Sequence, residues 1–223
     1  MSERTKPQYR RAQCLAEPLG LRERQKLDRL DRIKNAARQL FIEKGYDATT
    51  LRGIGAKAGV GAGTIFHYVK DKRDLLHLLF NEDHEQVTRE ANAVMSEDVH
   101  FLVQCVIGFR PYYRYFGRYP EFGRAILREA TFYRAMLGTH AAATAMRSQA
   151  RIEKTIAIAR QRGEIRNEAN DHELAQLIFV LYQSECRRWL ASSRPSVEKG
   201  LAELHRALSI LMQGLSMGPR KRG

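Results

Sequence analysis

Apolar residues recur at intervals of three and four along nearly the whole chain, and this spacing limits the fold more than any other feature of the sequence. Ile33, Ala37, Leu40 and Phe41 share one helix face, and Leu51, Ile54 and Ala58 share another. Near the C-terminus Leu201, Leu204, Leu208, Leu211 and Leu215 form a stripe. No stretch shows several residues of clean polar/apolar alternation bounded by turn signals, so strands are not expected. Pro120, Gly138, Gly163 and Pro195 punctuate the longer segments. The spacing therefore predicts an all-α chain. A small N-terminal unit of short helices precedes longer amphipathic helices at about 99–117, 120–137, 139–162, 171–192 and 196–215.

The short helices carry caps that can be read directly. Gly45 suits a left-handed position after the first helix, and Gly59 can end the second. Thr49 and Thr50 can cap the second helix at its start. A short helix from about Ala62 to Tyr68 follows. Asp71 and Asp74, three apart, then start a longer helix running from about Asp71 to Met95.

The stretch GVGAGTIFHYVKDK, Gly59 to Lys72, admits two readings. Alternate glycines ahead of a helix occur in nucleotide-binding loops, but those loops follow a β-strand. Here the preceding TTLRGIGAKA has helical spacing and a helical cap, and neither G-x-G-x-x-G nor G-x-x-x-x-G-K-[ST] is matched. A helix-turn-helix fits better. Its first helix ends at Gly59, Val60 plugs the space between the helices, and Gly61-Ala62 makes the turn. Small residues at the start of the second helix let its backbone approach DNA, with the N-terminal end facing base edges in the major groove. Thr50 and Lys72 both sit at helix starts, where exposed N–H groups favour phosphate oxygens.

The charge balance agrees. The 223 residues carry a formal net charge of +13, which favours an anionic partner: nucleic acid, an anionic membrane or an anionic ligand. Residues 1–26 read as a basic, flexible arm with Arg4, Lys6, Arg10, Arg11, Arg22, Arg24 and Lys26. The arm either reaches a minor groove or flanking backbone, or is a tail without function. The three cysteines, Cys14, Cys105 and Cys186, lie far apart, so neither a disulfide framework nor a metal site is expected. Cys105 and Cys186 read as buried thiols. With no secretory signal and no run long enough to span a membrane, the expected location is the cytoplasm. No HExxH, no GxSxG and no nucleophile beside a base is found, so no enzyme and no cofactor is expected. His77 and His84, with Asp83 nearby, read as surface or hinge side chains rather than metal ligands.

At Ile33 to Leu76 the sequence resembles the DNA-binding domain of the TetR family of transcriptional repressors. The resemblance rests on Ala36-Ala37, Leu40-Phe41, Gly45-Tyr46, Thr50, Ile54, Ala58-Gly59-Val60, Gly63-Thr64, Tyr68, Lys72 and Leu75-Leu76 in order. It implies a helix-turn-helix domain at 27–76, a ligand-binding and dimerisation bundle at 77–218 and a short tail at 219–223. It also implies roles: Thr50 and Arg52 contacting the backbone or a neighbouring base, Gly61, Ala62, Gly63 and Thr64 at the groove floor, His67 facing DNA, and Tyr68 and Lys72 clamping phosphates. The chain departs from the family at Phe66, Val69, Gly61 and Gly55, where Tyr, Phe, Ser or Thr, and Ala are common. A homodimer on a palindromic operator, released by a small-molecule inducer, is the implied mode of action, with the helix starting at Asp71 transmitting ligand entry to the reading helices.

The bundle itself reads less sharply. The last two helices, Leu174 to Ala191 and Leu201 to Leu215, are either the dimer interface or an ordinary intrachain core, or both. Phe101, Cys105, Phe109, Tyr112, Tyr113, Phe116, Arg128, Phe132, Phe179 and Tyr182 are the candidates for a ligand pocket lined by aromatic and a few polar groups. Arg110, Arg114 and Arg118 share a helix face, with Arg124, Arg128 and Arg134 following. They fit an anionic inducer such as an acyl-CoA, fatty acid or aromatic acid, or else a solvated face partly paired with Glu121 and Glu129. A constitutive DNA-binding protein whose bundle only dimerises is the second functional reading.

Overall fold

The structure, a computed structural model, describes residues 20–94, 96, 98–130, 140–166 and 168–216, with side chains except at 62, 130, 140–147, 215 and 216. The predicted roles of Phe132, Tyr133 and Arg134, and of residues 1–19 and 217–223, lie outside the described residues, as does the side chain of Leu215. All regular structure among the described residues is helical. In order, the helices are α1 (Leu21–Lys44), α2 (Leu51–Ala58), α3 (Ala62–Ile65), α4 (Lys72–Ala93), α5 (Phe101–Arg118), α6 (Pro120–Ala130), α7 (His140–Gln161), α8 (Asp171–Leu190) and α9 (Val197–Ser216). Among these residues no helix is long and apolar enough to cross a membrane.

Local chemistry sets most of the helix ends. Thr50 caps α2, its Oγ1 accepting from Gly53 N at 3.1 Å. Thr49 turns inward instead, its hydroxyl 2.7 Å from Gly45 O. Gly59 ends α2 at φ 65°, ψ 36°, and the bonds from Gly59 N to Ala56 O and from Val60 N to Gly55 O close a Schellman turn. Asp71 caps α4 by accepting from Asp74 N at 2.8 Å, while Asp74 accepts from Lys70 N at 2.8 Å.

Three expectations need correction. Residues 21–26 are the first turns of α1 rather than part of an irregular arm. After Gly20 the segment holds neither Pro nor Gly, and the Asp28–Arg32 and Asp31–Lys34 pairs support the helix that follows. Gly45 has a positive φ of 80° but an extended ψ of 161°, because the chain leaves α1 straight into the turn closed by Thr49 N to Tyr46 O. α3 stops at Ile65, earlier than predicted. Bonds of His67 N to Thr64 O and Tyr68 N to Ile65 O tighten the chain so that Val69 can be buried ahead of the Asp71 cap.

Two apolar cores result. The head core joins Ile33, Ala37, Phe41, Ile54, Ile65 and Leu75 from α1 to α4, and it also takes Phe122, Ala125 and Ile126 from α6. The bundle core gathers Phe109, Tyr113, Ile156, Ile178, Trp189 and Leu204 from α5, α7, α8 and α9. Phe80 and Tyr115 pack against both. Polar links run along the same seam. Lys34 of α1 pairs with Glu82 at 2.8 Å, Arg38 pairs with Asp83, and Tyr115 donates to that same Asp83 carboxylate at 2.7 Å.

Candidate nucleic-acid interface and ligand cavity

The head presents a small, nearly bare face. Ile65 and Val69 are fully or almost fully buried and pin α3 to the head core. The residues between and before them are thereby turned outward: Gly61, Gly63, Phe66 and His67 are exposed, and Thr64 and Tyr68 are half-buried. A methyl group built at Gly63 would meet nothing within 4 Å. Thr50 and Arg52 are exposed on the neighbouring start of α2. Thr50 spends an acceptor site on its cap and keeps its hydroxyl proton available to an outside acceptor. Phe66 stands where the family commonly has Tyr and so lacks that hydroxyl. Its ring is 59 % exposed on this same surface, where an apolar edge can meet a thymine methyl.

Lys72 is placed differently from the phosphate clamp implied by resemblance. Its ammonium lies 2.8 Å from Tyr46 O, 2.9 Å from Thr49 O and 3.3 Å from Asp47 O, and 4.3 Å from the centre of the Tyr46 ring. An ammonium has three donors, and these carbonyls take them. Lys72 thus braces the turn that delivers Thr50. Arg128, predicted as a ligand contact, also serves the head. Its guanidinium forks onto Asp47 with contacts of 2.8 and 3.2 Å and lies over Tyr46. The hydrogen bonds from Arg128 hold the Asp47 carboxyl below the ordinary range.

A cavity of about 120 Å³ lies in the bundle between α4, α5, α6, α7 and α8. Phe109, Tyr112, Phe116, Phe179 and Tyr182 line it, as does Cys186. The Phe109 and Tyr182 rings stack at 4.2 Å between centres. Phe101, Cys105 and Tyr113 do not line it, although all three are buried. Tyr113 packs instead against Trp189 at 4.7 Å, beside Gly200 of α9. Burial pushes the thiols of Cys105 and Cys186 up to about 12, which keeps both protonated at neutral pH.

The wall also contains residues that the sequence did not mark as ligand contacts: Phe80, Asn81 and His84 of α4, Ile126 of α6, and Ser148 and Arg151 of α7. His84 sits between the rings of Phe80 and Tyr112, at 5.0 and 5.3 Å, and near Thr88 Oγ1. His77 is 4 % exposed, and burial lowers its pKa from the ordinary histidine value. Of the expected surface or hinge positions, the surface one does not hold for His77, which is buried, and His84 is half-buried. The predicted arginine face is solvated at Arg110, Arg114 and Arg118, whereas Arg124 pairs with Glu121 and donates to Leu190 O and Ser192 O at the end of α8.

Comparison with known proteins bears on both regions. The family described as bacterial regulatory proteins, tetR family, matches residues 33–79. The uncharacterised HTH-type transcriptional regulator YhgD of Bacillus subtilis is 31 % identical over 90 residues, covering 38 % of this chain and 47 % of YhgD. The match thus spans less than half the length of that relative. The HTH-type transcriptional regulator UidR of Escherichia coli is 24 % identical over 157 residues, 67 % of this chain and 76 % of UidR. Among solved structures, Thermus thermophilus FadR in complex with lauroyl-CoA aligns with a TM-score of 0.65 at 21 % identity, over 87 % of this chain and all of that one. FadR of Bacillus subtilis in complex with stearoyl-CoA aligns at 0.66 with 20 % identity, over 82 % and 98 %. These structural likenesses share the whole two-part helical fold, and the matched head holds the helix-turn-helix described above. The head, residues 33–79, is thus that of the tetR family of bacterial regulatory proteins.

Proposed function

We propose that the chain is a DNA-binding transcriptional regulator, a repressor that binds a palindromic operator as a homodimer and releases it when a small amphipathic or aromatic ligand enters the bundle cavity. The reading rests on one side chain above all. Ile126 is 1 % exposed in the head core and also forms part of the cavity wall. Packed interiors do not absorb volume locally, so a ligand that displaces Ile126 strains the head as well. α4 offers a parallel route, since Phe80 lines the cavity while Leu75 and Leu76 are buried in the head. The same cavity favours a sensor over the alternative of a constitutive DNA-binding protein with a bundle for dimerisation alone.

Dimerisation is supported by apolar side chains left exposed on the last two long helices. Leu177 and Val180 of α8 are 50 % and 58 % exposed, and Ile210 of α9 is 65 % exposed. A twofold axis there would pair two heads for two half-sites. Genomic fragments selected on the purified protein are expected to share an inverted repeat and to bind two chains per site. Failure to enrich any common sequence would sink the regulator reading.

Thr50, Arg52, Gly61, Ala62, Gly63, Thr64, His67 and Tyr68 are proposed as the DNA contacts, with Lys72 as their brace. Lys72→Met is therefore expected to cost about 1–2 kcal/mol in urea unfolding, because it removes the donor from three turn carbonyls, two of them part-buried. Operator affinity should fall with the salt slope unchanged. A slope reduced by about one unit would instead mark Lys72 as a direct phosphate contact.

A further inference from the structure

The cavity is mostly apolar; its polar side chains are Asn81 and His84 of α4, Ser148 and Arg151 of α7 and Gln183 of α8, beside the hydroxyls of Tyr112 and Tyr182. Arg151 borders both the cavity and a second cleft outside it, whose lining includes Asn92, Gln104 and Lys154. Arg151 Nη1 donates to Asn92 Oδ1 at 2.6 Å, which fixes the fork. Its Nε is fully buried and meets no hydrogen-bond partner among the described residues. Among the described residues, the groups that bear on its charge are Tyr112 and Cys105, not a carboxylate. A half-buried guanidinium with no carboxylate beside it among the described residues is costly, and burial accordingly lowers its pKa. Two more wall atoms, Asn81 Oδ1 and Ser148 Oγ, are buried and likewise unbonded among the described residues.

Buried polar atoms in native proteins are nearly always bonded, so three around one chamber point to what the chamber receives. Arg151 Nε and the Ser148 hydroxyl are donors, and a planar carboxylate is the acceptor that a guanidinium fits best. A phosphate dianion would call for more positive charge than one guanidinium beside an apolar chamber. A thioester of coenzyme A would bring a neutral carbonyl to this position and carry its phosphates well beyond it. On the reading that the cavity is the effector site, we propose that Arg151 is the anion anchor of that site and that the effector is a free monocarboxylate with an apolar body. The carboxylate accepts from Arg151 Nε and from Ser148, and the body lies among Phe109, Phe116, Phe179 and Tyr182.

The test uses the full chain with three acids, benzoate, octanoate and laurate, each beside its amide, and with octanoyl-CoA. Calorimetry measures binding to wild type, Arg151→Gln and the cavity-filling Ser148→Phe. At least one acid is expected to bind wild type at least tenfold more tightly than its amide. Arg151→Gln should lose that preference while melting no lower than wild type without ligand, since it removes a charge that burial disfavours. An amide that binds as well as its acid, or an acid preference that survives Arg151→Gln, overturns the anion anchor alone. Octanoyl-CoA binding more tightly than octanoate overturns the free carboxylate. Acid binding untouched by Ser148→Phe, or no binding by any probe, overturns the cavity as effector site instead.

Discussion

Gly63→Asp is expected to lower operator affinity by about a hundredfold, roughly 2.7 kcal/mol, without weakening the fold. The position is exposed, and a Cβ there has open space on every side, so nothing in the chain resists the new side chain. Gly63 is the second residue of α3, and a carboxylate in the first turn of a helix is favourable to the helix dipole. The protein should therefore melt at or above the wild-type temperature. On the outside, the same carboxylate would be held against the phosphates and base edges that α3 is proposed to approach. Gly63→Ala separates shape from charge, since it adds only a methyl group and should cost about tenfold. Fluorescence anisotropy on a selected fragment, paired with thermal melting, reads both quantities. Unchanged affinity in Gly63→Asp would mean that α3 does not face the nucleic acid.

Gly200→Val is expected to destabilise the bundle by about 3 kcal/mol. A Cβ at Gly200 would lie 2.6 Å from Tyr113 Cε1 and 2.8 Å from two atoms of the Trp189 indole. Neither ring has room to retreat. Tyr113 is 0 % exposed, Trp189 is 3 % exposed, and the indole N–H is tied to Ser196 O at 2.7 Å. Relief would have to come from moving α9 away from α5 and α8, which breaks the packing of three helices at once. Gly214, on the same helix, supplies the control. A Cβ there meets nothing within 4 Å, so Gly214→Ala should gain up to about 1 kcal/mol from helix propensity alone. Urea midpoints measure both, and shifts of the same sign would show that α9 does not pack as described.

These two glycines show what was legible in the sequence. Gly63 was read as part of a bare reading surface because its neighbours, the Gly59 stop and the Asp71 cap, are local signals that the backbone obeys. The longer helices were legible for a similar reason, since their apolar period survives any choice of partner. Gly200 was not singled out, because its importance lies in rings that come from α5 and α8. The same distinction divides the candidate ligand residues. Phe109, Tyr112 and Phe116 line the cavity, whereas Tyr113 turns to Trp189, and an α5 apolar on several sides gives no local sign of which side adjoins space. Lys72 and Arg128 were recognisable as cations but not by partner: the carbonyls and carboxylate that they hold lie in the turn after α1. Arg151 carries no local mark in its helix, and only the fold brings α4 and α5 around it.

The shared head core also bears on how such proteins can be recombined. Phe122, Ala125 and Ile126 complete the interior of the reading head, although they follow it in sequence by a long helix and most of another. A head transplanted at residue 76 onto a foreign bundle would leave those three side chains behind and would open its own interior to water. Swapping specificities between regulators of this build is therefore an exercise in matching two surfaces, of which only one is contiguous with the grafted segment. The sixth helix has to travel with the head, or the recipient has to present the same three contacts.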